Sequence, residues 1–284
     1  LTPRTNSAGC APETETNEEK SMEAMKRVLS FVRRAIDDYQ MIKPGDKIAV
    51  GVSAGKDSLT LLCAMAELRR FYPVPFELCA ITVDMGFEGC DFSEVEALCR
   101  NLDVPYYRIP SQIYQIIFEI RKEKNPCSLC AKMRRGALYN AAKEMGCTSV
   151  ALGHHFDDVV ETFMLNLFFE GRIGCFQPVT YLSRTDITLI RPMIYMPEKD
   201  VRYFANRVAL PVIKSPCPAD GNTEREEMKS LLANLERQNR GLRYRIFGAI
   251  QRGEVDGFRV TGKMQGVLRY TDENEKEKRE DAGK

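Results

Sequence analysis

The segment from Val50 to Leu59 carries the residue types that grip phosphate groups. Ser53 and Ser58 offer hydroxyl groups, Gly55 lets the backbone approach a ligand closely, and Lys56 supplies a cation. The segment follows an apolar run and precedes a helical pattern. A helix that begins there would direct N–H groups and the positive end of its dipole at the turn. The segment therefore predicts a nucleotide site in which Ser53, Ala54, Gly55, Lys56, Asp57 and Ser58 contact the phosphates.

The spacing in this segment excludes a Walker A loop. Gly51 and Gly55 are too close together for that motif, and Asp57 rather than Ser or Thr follows Lys56. Asp57 could hold Mg²⁺ or position the lysine, whose charge suits the anion that builds up on departing pyrophosphate. We expect Ala54 to be costly only if the loop needs a positive φ at that position.

The cysteines provide a second candidate site. Cys127 and Cys130 form a CxxC pair, and Cys217 lies far downstream between two prolines. The pair alone is compatible with redox chemistry, with zinc or with no function, but it follows Pro126 and a helical segment, unlike a thioredoxin motif. A structural zinc site takes four protein ligands, and a second CxxC pair is missing. Three thiolates instead suit a [4Fe–4S] cluster with one iron open to a ligand such as sulfide.

Both histidines of the chain follow a predicted strand, in the sequence Gly153 to Asp158. Asp157 and Asp158 could hold Mg²⁺ or act on the substrate, although acidic residues also stabilise the first turn of a helix. Asp84 ends another predicted strand, where it could reach the ribose or adenine of a nucleotide or simply form a turn. We expect Asp84 and Gly153 to line the nucleotide site, because ligands of parallel sheets bind beyond the carboxyl ends of the strands.

Apolar runs and helical patterns alternate along the chain, which favours an α/β fold with a parallel sheet and helices on both faces. The predicted strands are 47–52, 76–83, 105–109, 149–152 and 188–191. The predicted helices are 21–39, with Ser21 as N-cap, then 58–70, 93–101, 156–169, 198–207, 223–239 with a capping box at its start, and 242–251. We expect one domain over residues 21–252, with disordered tails at 1–20 and 253–284.

The composition is that of a globular protein, with 284 residues, 44% of them hydrophobic. The chain contains 41 basic and 40 acidic residues. Both predicted tails carry an acidic excess, so the middle of the chain is mildly basic, which is permissive for nucleic acid. The chain has no long apolar run and no signal-peptide pattern, so we expect a cytoplasmic protein with reduced cysteines and no membrane partner.

The first of these motifs resembles the loop Ser-Gly-Gly-Lys-Asp-Ser of the PP-loop ATP pyrophosphatases, with Ala54 in place of its first glycine. Together with the cysteine trio and the segment Gly153 to Thr162, it resembles the tRNA 2-thiocytidine synthetase family. The phrases Cys127 to Gly136 and Leu165 to Gly171 strengthen the match. The resemblance covers roughly residues 25–250 and implies an adenine-nucleotide-hydrolase-like fold with a helical C-terminal extension.

The resemblance also implies a reaction. Members of this family use ATP, Mg²⁺ and a [4Fe–4S] cluster to replace the C2 oxygen of a tRNA cytidine in the anticodon loop with sulfur. On this basis Cys127, Cys130 and Cys217 are expected to bind the cluster. The expected catalytic residues are Lys56, Asp57, Arg134, Asp157 and Asp158. Arg134 would orient sulfide or phosphate, although a solvated helix charge is an equally good interpretation of its position.

The expected partners are a tRNA substrate, a source of sulfide or of sulfur from a cysteine desulfurase, and a second copy of the chain in a homodimer. Basic residues could contact RNA phosphates: Lys132, Arg134, Arg135, Lys229, Arg237, Arg240, Arg243, Arg245 and Arg252. Three alternatives stay open. They are thiolation of a tRNA uridine, ATP-dependent donation of nitrogen, and redox sensing by a nucleotide-binding protein without catalysis.

Overall fold

A computed structural model of the chain describes residues 16–87, 89–122, 126–214, 216–218 and 224–261. The strands in this part are β1 (Lys47–Gly51), β2 (Glu77–Asp84), β3 (Tyr106–Pro110), β4 (Ser149–Ala151), β5 (Val179–Leu182) and β6 (Ile187–Ile190). The helices are α1 (Asn17–Tyr39), α2 (Lys56–Arg69), α3 (Ser93–Asn101), α4 (Pro126–Glu144), α5 (Phe156–Phe169), α6 (Glu198–Arg207), α7 (Glu224–Gln238) and α8 (Leu242–Arg252). None of the described helices combines the length and apolar character of a membrane span.

The strands form one sheet in the order β3-β2-β1-β4-β6-β5. β1 lies parallel to β2 on one side and to β4 on the other, and only β5 runs antiparallel to its neighbour. Ile48 of β1 lies opposite Leu78 of β2 and Ser149 of β4, so the carboxyl ends of these strands open at one edge. The predicted fold class is confirmed. β5 is absent from the predicted elements because its four residues are short and only partly buried.

Helices cover both faces of the sheet. Ile48 and Val50 of β1 belong to the larger core, which includes residues of α1, α2, α5 and α6. Ala49, between them, belongs to a second core, where Leu138 and Ala142 of α4 pack against the sheet. Successive side chains of a strand alternate between the faces, so β1 contributes to both cores. α4 therefore packs on the face of the sheet opposite to the face covered by α2.

The packed part of the chain extends beyond the predicted boundaries at both ends. Thr16, rather than Ser21, caps α1, because its hydroxyl accepts the Glu19 N–H at 3.3 Å and the Glu19 carboxylate accepts the Thr16 N–H at 2.7 Å. At the other end Phe258 is fully buried against Phe247. The rest of both predicted tails, before residue 16 and after residue 261, lies outside the described residues, as does the start of the predicted capping box at residue 223.

Candidate active site

The phosphate-gripping segment forms the turn between β1 and α2. Gly55 is the N-cap of α2, and no side chain caps this helix end. The first N–H groups of α2 therefore lack an acceptor within the helix. Ala54 has a φ of 60° and is buried. The loop does require the left-handed conformation here, which costs an alanine about 1 to 2 kcal/mol relative to glycine.

Hydrogen bonds hold this loop in shape. The Ser53 N–H donates to Ser58 Oγ at 3.1 Å, and the Ser58 hydroxyl donates to the Gly55 carbonyl at 3.0 Å. The Ala54 carbonyl accepts the N–H of Ile213 at 3.0 Å, which ties the loop to the segment that leads to Cys217. The loop conformation is thus fixed by the protein itself.

The side chain of Lys56 lies between two carboxylates. Its Nζ is 2.9 Å from Asp57 Oδ1 and 3.2 Å from Glu198 Oε1. Burial lowers the pKa of Lys56, but Asp57 and Glu198 outweigh burial and raise it overall. The lysine is therefore a permanent cation at the start of α2, where the helix dipole also favours an anion.

Glu198 at the start of α6 is a site residue that was not predicted. Its carboxylate lies 3.2 Å from Lys56, 3.0 Å from Lys229 and 3.2 Å from Arg202. Burial raises the pKa of Glu198, yet Lys229 and Lys56 outweigh burial and lower it to about 2. Sequence patterns suggest only a helix start at this position. Arg202 lies one turn further along the same helix, but Lys56 and Lys229 come from α2 and α7, which are distant in sequence.

The two acids that begin α5 contact different partners. Asp157 is buried, and it accepts a hydrogen bond from Arg243 at 2.6 Å and one from the Glu198 N–H at 2.7 Å. Asp158 accepts the His155 N–H at 2.9 Å and lies 3.1 Å from Arg225. Asp157 therefore joins α5, α6 and α8, whereas Asp158 faces the histidine beside the loop.

The end of β4 packs directly against the loop. A Cβ atom on Gly153 would lie 3.0 Å from the backbone carbon of Asp57, so only glycine fits without displacing α2. His155 Nε2 lies 3.7 Å from Asp57 Oδ1. The sequence motifs at 53–58 and 153–158 thus meet in space, as expected for neighbouring parallel strands.

Asp84 makes the turn contact considered for it, and its contact with a nucleotide stays a prediction. It accepts the Gly86 N–H at 3.0 Å, which is a turn contact, and Nε of Arg108 at 2.9 Å. Burial raises the pKa of Asp84, but these two donors outweigh it and lower the pKa. Asp84 also lines a cavity of about 250 Å³ together with Ser53 and Gly55. Its carboxylate is therefore fixed in place at the edge of a pocket that the loop shares.

The three predicted cluster ligands lie in one region. Cys127 and Cys130 are in the first turns of α4, on the same face of the helix. Burial raises the pKa of Cys130, the nearby Arg134 lowers it, and the charges of Cys217 and Cys127 raise it. Among the described residues, however, no three Cys, His, Asp or Glu side chains form a ready metal-binding group. The thiols are neighbours without being arranged as ligands.

Two cavities meet beside Arg134. The one that includes Asp84 has Ile213 and Lys214 on one side. A larger cavity of about 640 Å³ lies between α4 and the carboxyl ends of β1, β2 and β4. Ser53, Val83 and Arg134 line both cavities. The loop, the arginine and the nearby thiol of Cys130 thus converge where the two spaces join.

Comparisons with known proteins agree with this geometry. Residues 22–228 match the model of the PP-loop domain family. The chain is 39% identical over 239 residues to the tRNA-cytidine(32) 2-sulfurtransferase of Pelobacter propionicus, covering 83% of this chain and 89% of that protein. It is 38% identical over 228 residues to the protein of the same name from Pseudomonas putida, covering 80% and 83%.

The chain belongs to the tRNA-cytidine(32) 2-sulfurtransferase family. The solved structure of the U34-tRNA thiolase NcsA from Methanococcus maripaludis, determined with its [4Fe–4S] cluster, is similar to it with a TM-score of 0.67 and 27% sequence identity. The similarity covers 81% of this chain and 80% of NcsA. The resemblance inferred from the loop, the cysteine trio and the strand-end motif is confirmed at the level of family and fold.

Several of the basic residues that were predicted to contact RNA also bind protein groups. Lys229 pairs with Glu198, and Arg243 pairs with Asp157. Arg245 donates to the backbone carbonyls of residues 239 and 240. Contacts with RNA by all nine basic residues stay predictions.

Proposed function

We propose that this chain is an ATP-dependent tRNA sulfurtransferase that adenylates the C2 carbonyl of a cytidine in the anticodon loop and replaces its oxygen with sulfur. The observation that carries the proposal is the convergence at Arg134. Arg134 lines a cavity together with the loop residues Ser53 and Gly55, and its side chain also interacts with the thiol of Cys130. Oxygen activation and sulfur delivery must occur at the same carbon atom, so both parts need to reach one point.

The loop supplies the first half of the reaction. The backbone N–H groups at the start of α2, with the hydroxyls of Ser53 and Ser58, would hold the phosphates of ATP. The C2 oxygen attacks the α-phosphorus, the bond between the α- and β-phosphates breaks, and pyrophosphate leaves. The cationic Lys56 stabilises the charge that develops on pyrophosphate.

A magnesium ion at this site would be coordinated by only one or two protein side chains. Mg²⁺ commonly binds one or two carboxylates together with substrate phosphates. Asp57 beside Lys56 and Asp158 beside His155 fit this role, because each lies on the loop side of the site. Asp157 fits it less well, because its side chain is only 12% exposed, against 34% for Asp57 and 21% for Asp158, and it is paired with Arg243. We therefore propose that Asp157 orients α5, while Asp158 faces the substrate.

The thiols of Cys127, Cys130 and Cys217 fit a [4Fe–4S] cluster in donor type and in neighbourhood, because the charges of the other two act on Cys130. These three thiolates would hold the cluster, and when bound it would supply an iron that can carry sulfide from an external source. Sulfur bonds to C2 as the bond from C2 to the AMP oxygen breaks, and AMP leaves. Arg134, which contacts Cys130, is positioned to stabilise negative charge on the arriving sulfur or on the phosphate.

The remaining assignments belong to the same proposal. The substrate is tRNA, and the sulfur comes from sulfide or from a cysteine desulfurase. We further propose that the protein acts in the cytoplasm and that two copies form a homodimer. Light scattering of the purified protein would test the last point directly.

The decisive experiment is anaerobic incubation of the reconstituted protein with tRNA, ATP and sulfide, followed by mass spectrometry of the nucleosides. We expect 2-thiocytidine to accumulate only when ATP is present. A 2-thiouridine product without 2-thiocytidine would assign the chain to uridine thiolation, the activity named for NcsA. A lysine- or ammonia-derived nucleoside would support nitrogen donation, and AMP formation without any modified nucleoside would refute the proposal.

A further inference from the structure

The larger of the two cavities has the features of a nucleobase pocket. Its wall contains the rings of His154 and Phe176, whose centroids are 4.8 Å apart. The guanidinium of Arg191 lies 5.1 Å from the centre of the Phe176 ring. Leu152 and Leu189 contribute an apolar lining from neighbouring strands. Unstacked bases of RNA loops are typically held by aromatic or guanidinium planes of this kind.

Two polar atoms on this wall lack partners within the described residues. They are Nδ1 of His154 and Nε of Arg191, and both are buried. Arg191 as a whole is only 7% exposed. A buried polar atom without a hydrogen bond costs about 1 to 3 kcal/mol, so a ligand that supplied the missing partner would gain that free energy on binding.

Arg191 is held rigidly in this position. Its Nη1 donates to the Gln177 carbonyl at 2.5 Å and to the Thr180 hydroxyl at 3.2 Å. These bonds fix the plane of the guanidinium and leave the Nε–H as an oriented donor. Because Arg191 immediately follows β6, the sheet itself sets where that donor lies.

His154 supplies the complementary group. Burial and the nearby charge of Arg191 lower the pKa of His154 to about 4. A neutral imidazole offers one nitrogen as an acceptor and the other as a donor. The wall therefore combines a fixed donor with a group that can accept.

We propose that this cavity receives the flipped-out cytosine, with Arg191 Nε donating to the N3 and O2 edge of the base and His154 accepting from its exocyclic amino group. The inference rests on the proposed function and names the residues that select the base. Uracil carries an N–H at position 3, so it would place this donor against the fixed Nε–H donor of Arg191. Rejection of uracil follows from the unpaired polar groups that it would leave buried.

Adenine presents the same acceptor and amino group on its Watson–Crick edge as cytosine. The positions of the two cavities therefore decide which one holds adenine and which one holds cytosine. Gly55 of the loop and Asp84 at the end of β2 line the smaller cavity and not the larger one. Adenosine is therefore assigned to the smaller cavity. Arg134 and Arg135, two exposed arginines of α4, line the larger cavity, which suits the phosphates of an RNA strand beside the flipped base.

The test compares Arg191→Lys, which keeps the charge but removes Nε, with Arg184→Lys as a matched control. Arg184 is exposed in the turn between β5 and β6, at the opposite end of the strand that precedes Arg191. Two tRNA transcripts would carry cytidine or uridine at the target position. We expect Arg191→Lys to reduce kcat/KM for the cytidine transcript about 10- to 100-fold and to narrow the preference over uridine. Arg184→Lys should change neither quantity.

Two further measurements separate the possible failures. Affinity for a non-hydrolysable ATP analogue without tRNA should be the same in wild type and Arg191→Lys, and a weakened affinity in the variant would place adenine in this cavity and overturn the proposal. A tRNA with fluorescent pyrrolocytidine at the target position should change emission on binding wild type but less on binding Arg191→Lys or His154→Gln. This binding signal does not need thiolation, so its presence without a thiolated product would refute only the proposed function. Equal signals and equal kcat/KM in folded variants would refute the pocket assignment.

Discussion

The nucleotide loop and the cysteine region are held in different ways. Hydrogen bonds within residues 53–58, and contacts from β4 and the 210–214 segment, fix the conformation of the loop. Cys127 and Cys130 lie at the start of a single helix, and Cys217 comes from a segment near residues that the structure does not describe. Their charges interact, but the described side chains do not form a ligand set.

The polypeptide alone fixes the nucleotide loop, whereas it does not arrange the described cysteines as a set of ligands. A phosphate-gripping loop needs only oriented backbone groups, which strand and helix geometry provide. A metal–thiolate site commonly gains its final geometry when the metal binds, because binding and folding of the ligands are coupled. Variants should therefore separate the two halves cleanly.

The largest expected effect is the loss of a predicted cluster ligand. We expect Cys217→Ala to lower tRNA thiolation at least about 1000-fold and to abolish the visible absorption of an anaerobically reconstituted cluster, because two thiolates hold it poorly. Cys175→Ala, at a half-buried thiol outside the trio, should retain both. Full thiolation by Cys217→Ala without cluster absorption would end the proposed role of the cysteines.

Removal of the loop cation should have the next largest effect. We expect Lys56→Met to slow pyrophosphate release about 100- to 1000-fold, the usual effect of losing one group that stabilises a developing charge. Cluster absorption should not change. Lys199→Met, at an exposed lysine of α6, is the matched control. Equal loss in both variants would mean that general charge, rather than the position of Lys56, matters.

Glu198 links the loop to α6 and α7, and its effect should depend on pH. Its pKa is lowered from 4.5 to about 2, so its contribution to stability is present above about pH 4.5 and is lost as the pH falls towards 2. We expect Glu198→Gln to lower the free energy of unfolding by at most about 3 kcal/mol at pH 7.

Urea unfolding of wild type and Glu198→Gln at a series of pH values would measure this difference. The difference between the two curves should shrink as the pH falls below about 4.5 and should disappear below about pH 2. A difference that stays constant with pH would show that the carboxylate charge is not the cause.

The smallest effect concerns the strained alanine. Ala54→Gly should raise the free energy of unfolding by up to about 1 kcal/mol, because relief of the left-handed conformation exceeds the entropy that glycine adds to the unfolded chain. Chemical denaturation would measure it. A decrease would instead indicate that the packing of the buried methyl group outweighs the strain.

Sequence patterns predicted most of the alternating strands and helices, although α4 and β5 were missed, and they predicted the two motifs that meet at the sheet edge. Periodicity and loop chemistry are local, and Gly153 and Ser53 follow neighbouring parallel strands by topology alone. Patterns failed where distant side chains decide the outcome. Helical spacing indicates the i,i+4 partner Arg202 of Glu198, but nothing local indicates Lys56 or Lys229. Nothing local to Arg191 indicates a buried Nε without a partner among the described residues.

Local sequence patterns also failed to distinguish the roles of the two acidic residues that begin α5. Asp157 and Asp158 are adjacent and chemically identical, so sequence suggested the same role for both. Arg243 of α8 engages one and Arg225 of α7 the other, and these helices lie far along the chain. For Ala54 the sequence showed that a positive φ would make alanine unfavourable. It did not show that the φ is in fact positive.

The hydrogen bond from the Ile213 N–H to the Ala54 carbonyl has one more consequence. It makes the loop and the segment before Cys217 parts of one mechanical unit, since either can move far only if this bond breaks. Occupancy of one region and order in the other are then thermodynamically linked, and such a linkage acts equally in both directions. We expect a substitution at Ile213 that removes the donor, such as proline, to weaken this linkage.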